Sequence, residues 1–489
     1  MTSAAAMTDP GLFYLALRND LPAFSRKVFQ TLEPGSEFKH SWYIDHLCWQ
    51  LTRVERGDIN RLIINLPPRC TKSILVSNAF TAWYLGRDPR RRLICASYAS
   101  ELAEKLSADT RQIVSAPWFA RCFPEFALSS QRINELTTTQ RGYRLAHGLT
   151  GSLLGRGADL IVIDDPIKPT DRLSSKANLR VNDAFDSTIL PRLDDKINGA
   201  IIIVMQRLHE DDLSGHVLRS GDWEHVSIPA IALEPKSYCL SDAGRTHQRR
   251  AGDVLHPERE PRHSLEMTRR AQGTLIFSAQ YQQAPIPLLG NIIKRKWIQF
   301  FDAPPETFDR TVASWDTAST LSETADYSVG TVWGAKGLNY YLLDLVRGRW
   351  EFPELRKQVT NLSARWSVNQ TIIENTDVGR ALVQDLRATK TLPALLSNPK
   401  HDKEARFLAQ SARFESGQVF VPKDAPWLGA WMDELMGFPN KTHDDQVDST
   451  SQALAYLTRS SHAGKTMPER KQRPEPTRPQ GRDYSLRRH

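Results

Sequence analysis

Lys72 and Ser73 close the run NLPPRCTKS, which follows the strand-like RLIIN and opens an amphipathic segment. A strand end, a short loop of main-chain N–H groups and a helix N-terminus make a site for phosphate. In that arrangement Lys72 reaches the β- and γ-phosphates and the Ser73 hydroxyl joins Mg²⁺. Pro68, Arg69, Cys70 and Thr71 line the loop, with Arg69 close to γ-phosphate charge. The spacing G-x-x-x-x-G-K-[ST] asks for glycine at positions 66 and 71, where this chain has Leu66 and Thr71. Farther on, GADLIVIDDP ends an apolar run in Asp164 and Asp165. Carboxylates at the C-terminal edge of a parallel sheet stand where ligands bind. Asp164 is expected to hold Mg²⁺ and Asp165 to orient an attacking water. A third apolar run, IIIVM, ends in Gln206-Arg207, a polar pair able to sense γ-phosphate.

A second group of acids lies in the other half of the chain. Asp316 sits in the apolar context TVASWDTA, where a carboxylate is costly unless paired or bound to metal. Asp326 opens the next strand-like run, Glu374 ends TIIE, and HDDQVDS brings Asp444, Asp445 and Asp448 to the start of the last helix. On a helix both 444 and 445 share a face with 448. Acids from a first strand, a fourth strand and a following helix suit two hard cations about 3.5–4 Å apart, the geometry that cleaves phosphodiesters. Mg²⁺ or Mn²⁺ would be held by Asp316, Glu374 and one of Asp444 or Asp445, with Asp448 adjacent.

The elements that must position these groups follow from pattern. Continuous apolar runs at RLIIN, RRLICASYA, ADLIVIDD and AIIIVMQR alternate with helical segments, which predicts a parallel sheet covered on both faces. The P-loop helix is expected over about Lys72 to Tyr84, and SELAEKLSADTRQIV forms another. TVASWDTA, YSVGTVWGA and NYYLLDLVRG predict an antiparallel meander, followed by a helix, the strand at TIIE, and further helices. That order is the order of an RNase H-like sheet. The expected organisation is a helical region at 1–60, an α/β P-loop ATPase domain at 61–232, a linker or small subdomain at 233–300, an RNase H-like nuclease domain at 301–460, and a disordered tail at 461–489.

Composition narrows the class. The 489 residues are 40% hydrophobic and 25% charged, ordinary for a globular protein. The net charge of +8 is uneven, because the tail from Ser461 holds eight Lys/Arg against three Asp/Glu. No apolar run approaches the ~20 residues of a membrane span, and no secretory leader is evident. Five scattered cysteines without a CxxC pair read as reduced thiols in the cytoplasm.

Taken in order, LPPRCTKS, CASYASELAEKLSADTRQI, GADLIVIDDPIKP, QRLHEDDLSG, WDTA with ADYSVG, IIENTDVGRALVQDL, DKEARFLAQSARFESGQVFVP and HDDQVDS resemble the large terminase subunit of tailed bacteriophages and prophages, over about residues 40–457. The resemblance implies a RecA-like ATPase of the additional-strand kind followed by an RNase H-like nuclease. It implies ATP with Mg²⁺, Arg69 as an arginine acting in cis, Asp165 as the catalytic carboxylate, shorter by one methylene than the usual Glu, and Gln206 in the coupling motif. It also implies partners: double-stranded DNA, a small terminase subunit, a portal and procapsid, and further copies in a ring in the host cytoplasm. Two other readings fit parts of the pattern: a DDE-type transposase or integrase with an ATP-binding fold, and an inactive prophage remnant serving as a scaffold. The order ATPase then nuclease disfavours the first; the presence of Lys72 and the acids disfavours the second.

Overall fold

The apolar runs become two sheets in a computed structural model, which describes residues 10–463 except 152, 154, 169–170, 172–173, 287–291, 319–326, 400 and 441–442. Asp326 and nearly all of the expected disordered tail lie outside the described residues. The first sheet contains β1 (Arg61–Asn65), β2 (Arg92–Ser97), β3 (Leu128–Gln131), β4 (Glu135–Thr138), β5 (Tyr143–Gly148), β6 (Leu160–Asp164), β7 (Ala200–Met205) and β8 (Glu224–Ser227), in the order β3-β4-β5-β2-β6-β7-β1-β8. The six strands from β5 to β8 are parallel. The antiparallel edge made by β3 and β4 is an addition to the expected parallel core. Strand periodicity sends Ile63, Ile161, Ile163, Ile201 and Ile203 into one core and Leu62, Ile64, Leu160, Val162, Ile202 and Val204 into the other. Burial on both faces is why these strands read as unbroken apolar runs. Because β7 separates β1 from β6, the phosphate loop and the Asp164-Asp165 pair emerge one strand apart on the same edge.

The helix after the loop begins at Lys72, runs as a wide π-helix over Ile74–Phe80, and continues as α-helix over Thr81–Arg87. Three helices (Pro10–Asn19, Leu21–Leu32 and Trp42–Arg56) precede β1. The segment after β8 turns back onto them. It forms the hairpin β9 (Lys236–Cys239) and β10 (Thr246–Arg249), then helices Arg262–Gln272 and Thr274–Gln280. Trp42 stacks on His247 with ring centroids 4.5 Å apart, and the Trp49 indole donates to Asp242 at 2.7 Å. The chain then returns to the first sheet, where the Arg207 N–H donates to Gln283 at 2.9 Å.

The second sheet is built from β11 (Gln299–Phe301), β12 (Arg310–Asp316), β13 (Ser328–Lys336), β14 (Asn339–Gly348), β15 (Gln370–Glu374), β16 (Ala394–Ser397) and β17 (Val419–Pro422), ordered β11-β17-β14-β13-β12-β15-β16. β12, β13 and β14 are the expected antiparallel meander, and β15 joins β12 in parallel. Val312, Trp333 and Ile372 pack on one face with Trp431, Val447 and Leu454 of the last helices. Ala313, Trp315 and Ile373 pack on the other with Leu355, Val359, Leu382 and Val383. Among the described residues no helix is long and apolar enough to cross a membrane.

Gly330 sits opposite Trp315 across the β12–β13 ladder, and a Cβ there would lie 2.5 Å from the buried indole. Gly330→Ala should therefore force Trp315, and the strand end carrying Asp316, out of place. The expected loss is about 1–3 kcal/mol, read as a lower urea midpoint; an unchanged midpoint would show that the indole has room to move.

Candidate active sites

The loop after β1 is conformationally costly. Arg69 and Thr71 have φ of 63° and 56°, and Asp165, facing them from the end of β6, has φ of 44°. Thr71 occupies the second glycine position of the P-loop spacing, and a β-branched residue in the left-handed region is held there only by its surroundings, at about 1–3 kcal/mol. Three contacts hold it. The Arg259 guanidinium donates to the Arg69 carbonyl and lies 3.2 Å from Cys70 Sγ. The Tyr43 hydroxyl hydrogen-bonds Thr71. The Leu75 N–H donates to the Thr71 carbonyl at 3.0 Å. Burial pushes the Cys70 thiol up despite Arg259, so it is a packed group of the loop. Pro68 is half-buried, and the Arg69 side chain is exposed.

Lys72 is 7% exposed, and its ammonium lies 3.2 Å from Asp165 Oδ2. Asp164 is 2% exposed and accepts from the Ser77 hydroxyl through Oδ2 at 2.6 Å, while Ser73 hydrogen-bonds it as well. Burial, and after it the charge of Asp165, raise the Asp164 carboxyl to about 6. Its Oδ1 is buried with no hydrogen-bond partner, and so is Oε1 of Gln206 at the end of β7. Orphaned acceptors beside a lysine, a serine hydroxyl and an acid pair fit a site for Mg²⁺-nucleotide. Arg207 is tied up elsewhere: its Nε donates to Asp212 at 2.9 and 3.0 Å, and Asp212 caps the helix Leu213–Leu218. Of the Gln206-Arg207 pair, only Gln206 keeps a free polar group toward the loop.

On the second sheet, the parallel register of Trp315 with Ile373 puts Asp316 beside Glu374. Asp445, the first residue of the last helix, is buried and accepts the Tyr327 N–H at 3.2 Å. Asp448 lies one turn on. Burial first, then Glu374, Asp448 and Asp445, hold the Asp316 carboxyl well above the usual carboxylate range, and Asp316 hydrogen-bonds Glu374. Burial also raises Asp448, to about 6, even against Arg406 and Lys403. Both cations come from the helix Lys403–Leu408. Lys403 Nζ lies 2.6 Å from Asp444 and 2.8 Å from Asp448; Arg406 reaches Asp448 at 2.7 Å and Glu374 at 3.4 Å. The structure thus brings together Asp316, Glu374, Asp445 and Asp448 and holds Asp444 at the rim against Lys403. Among the described residues no three His, Cys, Asp or Glu side chains are set as a ready metal cage. The donor chemistry nonetheless fits hard divalent cations: all oxygen, mutually repelling, and partly neutralised by mobile ammonium and guanidinium groups.

Several of these partners lie outside what the sequence pattern predicts. Ser77 repeats Ser73 at helical spacing, so its place beside Asp164 had a sequence signal. Lys403 and Arg406 lie within DKEARF without any pattern that ties them to the acids. Arg259 lies 190 residues from the carbonyl that it holds.

Residues 313–457 match the family model of the terminase RNaseH-like domain. The whole chain has the fold of the large terminase from a thermophilic bacteriophage, with a TM-score of 0.52 at 9% identity over 84% of this chain and 98% of that one. The ADP complex of the same terminase gives 0.50 at 10% identity, over 84% and 99%. No curated protein matches the chain. The C-terminal sheet is therefore a terminase RNase H-like domain, and the chain as a whole has the α/β architecture of a large terminase.

The crowded acids generate a pH signature. A carboxyl whose folded pKa is raised binds its proton more tightly folded than unfolded, so its contribution to stability fades as pH rises above the ordinary carboxylate value of about 4. Asp316→Asn removes that penalty. In chelator-treated buffer the variant should melt no lower than wild type at pH 4.5 and progressively higher toward pH 7.5, and should lose the stabilisation that Mn²⁺ gives wild type. A melting difference that does not change with pH would contradict the repulsion described for this cluster.

Proposed function

We propose that the chain works as the large subunit of a phage terminase, an ATPase that drives double-stranded DNA into a procapsid joined to a nuclease that cuts it. The observation that carries this reading is the pairing, in one chain, of the Lys72–Asp165–Asp164 edge on a parallel sheet with the Asp316–Glu374–Asp445 edge on a terminase RNase H-like sheet.

At the first edge Lys72 can hold Asp165 or a phosphate, but not both. A nucleotide that takes Lys72 leaves Asp165 ionised and unpaired beside the γ-phosphate, able to orient a water and accept its proton. Arg69 is exposed at the loop and close enough to meet charge that develops on the leaving phosphate. Gln206, on the strand between the loop and the acid pair, is placed to register whether γ-phosphate is present. Ser73 and Asp164 would hold Mg²⁺ there, and Asp316, Glu374 and Asp445 would hold Mg²⁺ or Mn²⁺ at the second edge, with Asp448 and Lys403 beside them. Divalent metal, when bound, supplies charge neutralisation at the phosphates and an activated water at the nuclease edge. A small terminase subunit, the portal of a procapsid and a ring of further copies are the partners that this activity requires; the host cytoplasm is where they meet.

The two edges are on separate sheets with separate cores, so their chemistries should separate. Lys72→Ala is expected to reduce ATP hydrolysis by about 10²–10³-fold, the scale of losing one preorganised donor to a transition state, with Mg²⁺-dependent cutting of plasmid DNA unchanged. Wild-type ATP turnover in Lys72→Ala would remove the phosphate loop from the mechanism. Loss of both activities in a normally folded variant would contradict their independence.

A further inference from the structure

Arg144 is the largest charge in the first core that the mechanism leaves unused. It is fully buried on β5 and makes no ion pair among the described residues. Its Nη2 donates to the main-chain carbonyl of Ser77 at 3.0 Å, its Nε reaches the Thr81 hydroxyl at 3.4 Å, and its Nη1 has no partner. A guanidinium confined to the core without a counter-charge is costly, so its place there calls for a physical reason. That reason is the π-helix that it holds. The Thr81 hydroxyl donates to the same Ser77 carbonyl at 2.6 Å, and Asn78 donates across to Leu106 and Thr110 at 2.7 and 3.0 Å. The wide turn is thus pinned from two sides, and π-turns inside helices recur at functional sites.

The pinned turn carries the Ser77 hydroxyl to Asp164 Oδ2 at 2.6 Å. Engaging Oδ2 fixes the carboxylate plane and leaves Oδ1 buried, unpartnered and turned to the loop. We propose that Arg144 and Ser77 are positioning residues for the metal-binding carboxylate: Arg144 fixes the turn that carries Ser77, and Ser77 fixes the rotation of Asp164 so that Oδ1 faces the cation of a bound Mg²⁺-nucleotide. This deepens the ATPase reading and rests on it. The logic is that of any metal ligand whose orientation is set by the groups behind it, where removing the partner costs about 10–100-fold in metal affinity or activity.

The test is ADP binding to the full-length protein by calorimetry, with Mg²⁺ and with EDTA. Ser77→Ala should lose about 10-fold or more of the affinity that Mg²⁺ adds, while ADP affinity in EDTA stays at the wild-type value. Ser77→Thr, which keeps the hydroxyl, should restore the Mg²⁺ increment. Arg144→Lys, which keeps the charge but not the forked donor, should show the same selective loss. A wild-type Mg²⁺ increment in Ser77→Ala or Arg144→Lys overturns the proposal, and so does an equal loss with and without Mg²⁺, which is the mark of a merely structural role. A wild-type protein that binds no ADP under either condition would instead overturn the ATPase reading beneath it.

Discussion

Crowded carboxylates at the C-terminal edges of two sheets are the constraint that the rest of the molecule answers. Two like charges about 4 Å apart repel by about 4 kcal/mol even in surroundings with an effective dielectric near 20, and Asp164-Asp165 and Asp316-Glu374 face that repulsion while losing water. The chain answers it three ways. Cations reach in: Lys72 at the first edge, Lys403 and Arg406 at the second. Hydroxyls donate, as Ser77 does to Asp164. The remaining charge is relieved by proton uptake, which burial drives at Asp164, Asp448 and Asp316. Each answer can be exchanged for a divalent cation, and that exchangeability separates a site from a structural ion-pair network.

Strain at the phosphate loop has the same origin. A loop that presents main-chain N–H groups to phosphate must adopt left-handed conformations, and here Arg69 and Thr71 adopt them without glycine. Distant residues hold the strain. Arg259 and Tyr43 converge on the loop from the segment after β8 and from the helix before β1. The same post-β8 segment bonds the second sheet's domain, where the Thr274 N–H and hydroxyl donate to Glu415 at 2.8 and 2.6 Å. One stretch of chain, read from its polar and proline-rich composition as a linker or small subdomain, therefore touches both the nucleotide loop and the nuclease-side helices.

What was legible in the sequence is what local rules control. Runs buried on both faces are apolar without interruption, so β1, β2, β6 and β7 could be read directly, and the acids at their ends stood out. The meander β12–β13–β14 and the helix Ser100–Val114 follow from period alone. The choice within the Asp444-Asp445 pair was not legible, because both share a helical face with Asp448. Tyr327 and Lys403, which settle it by taking Asp445 and Asp444 respectively, arrive from distant segments. The π-winding of Ile74–Phe80 was also hidden: its cause is a buried arginine on β5, far along the chain. The antiparallel edge at β3–β4 was missed because its short strands are half-exposed and lack an apolar run.

Anomalous diffraction from crystals grown with Mn²⁺ and ADP tests the central claim most directly, because it reports where divalent cations replace the protein's own charges. The account predicts manganese against Asp316, Glu374 and Asp445, with Lys403 and Arg406 withdrawn from Asp448 and Glu374, and a separate manganese against Ser73 and Asp164 with Lys72 moved from Asp165 to phosphate. Manganese absent from both edges, with the ion pairs intact at saturating metal and nucleotide, would contradict it.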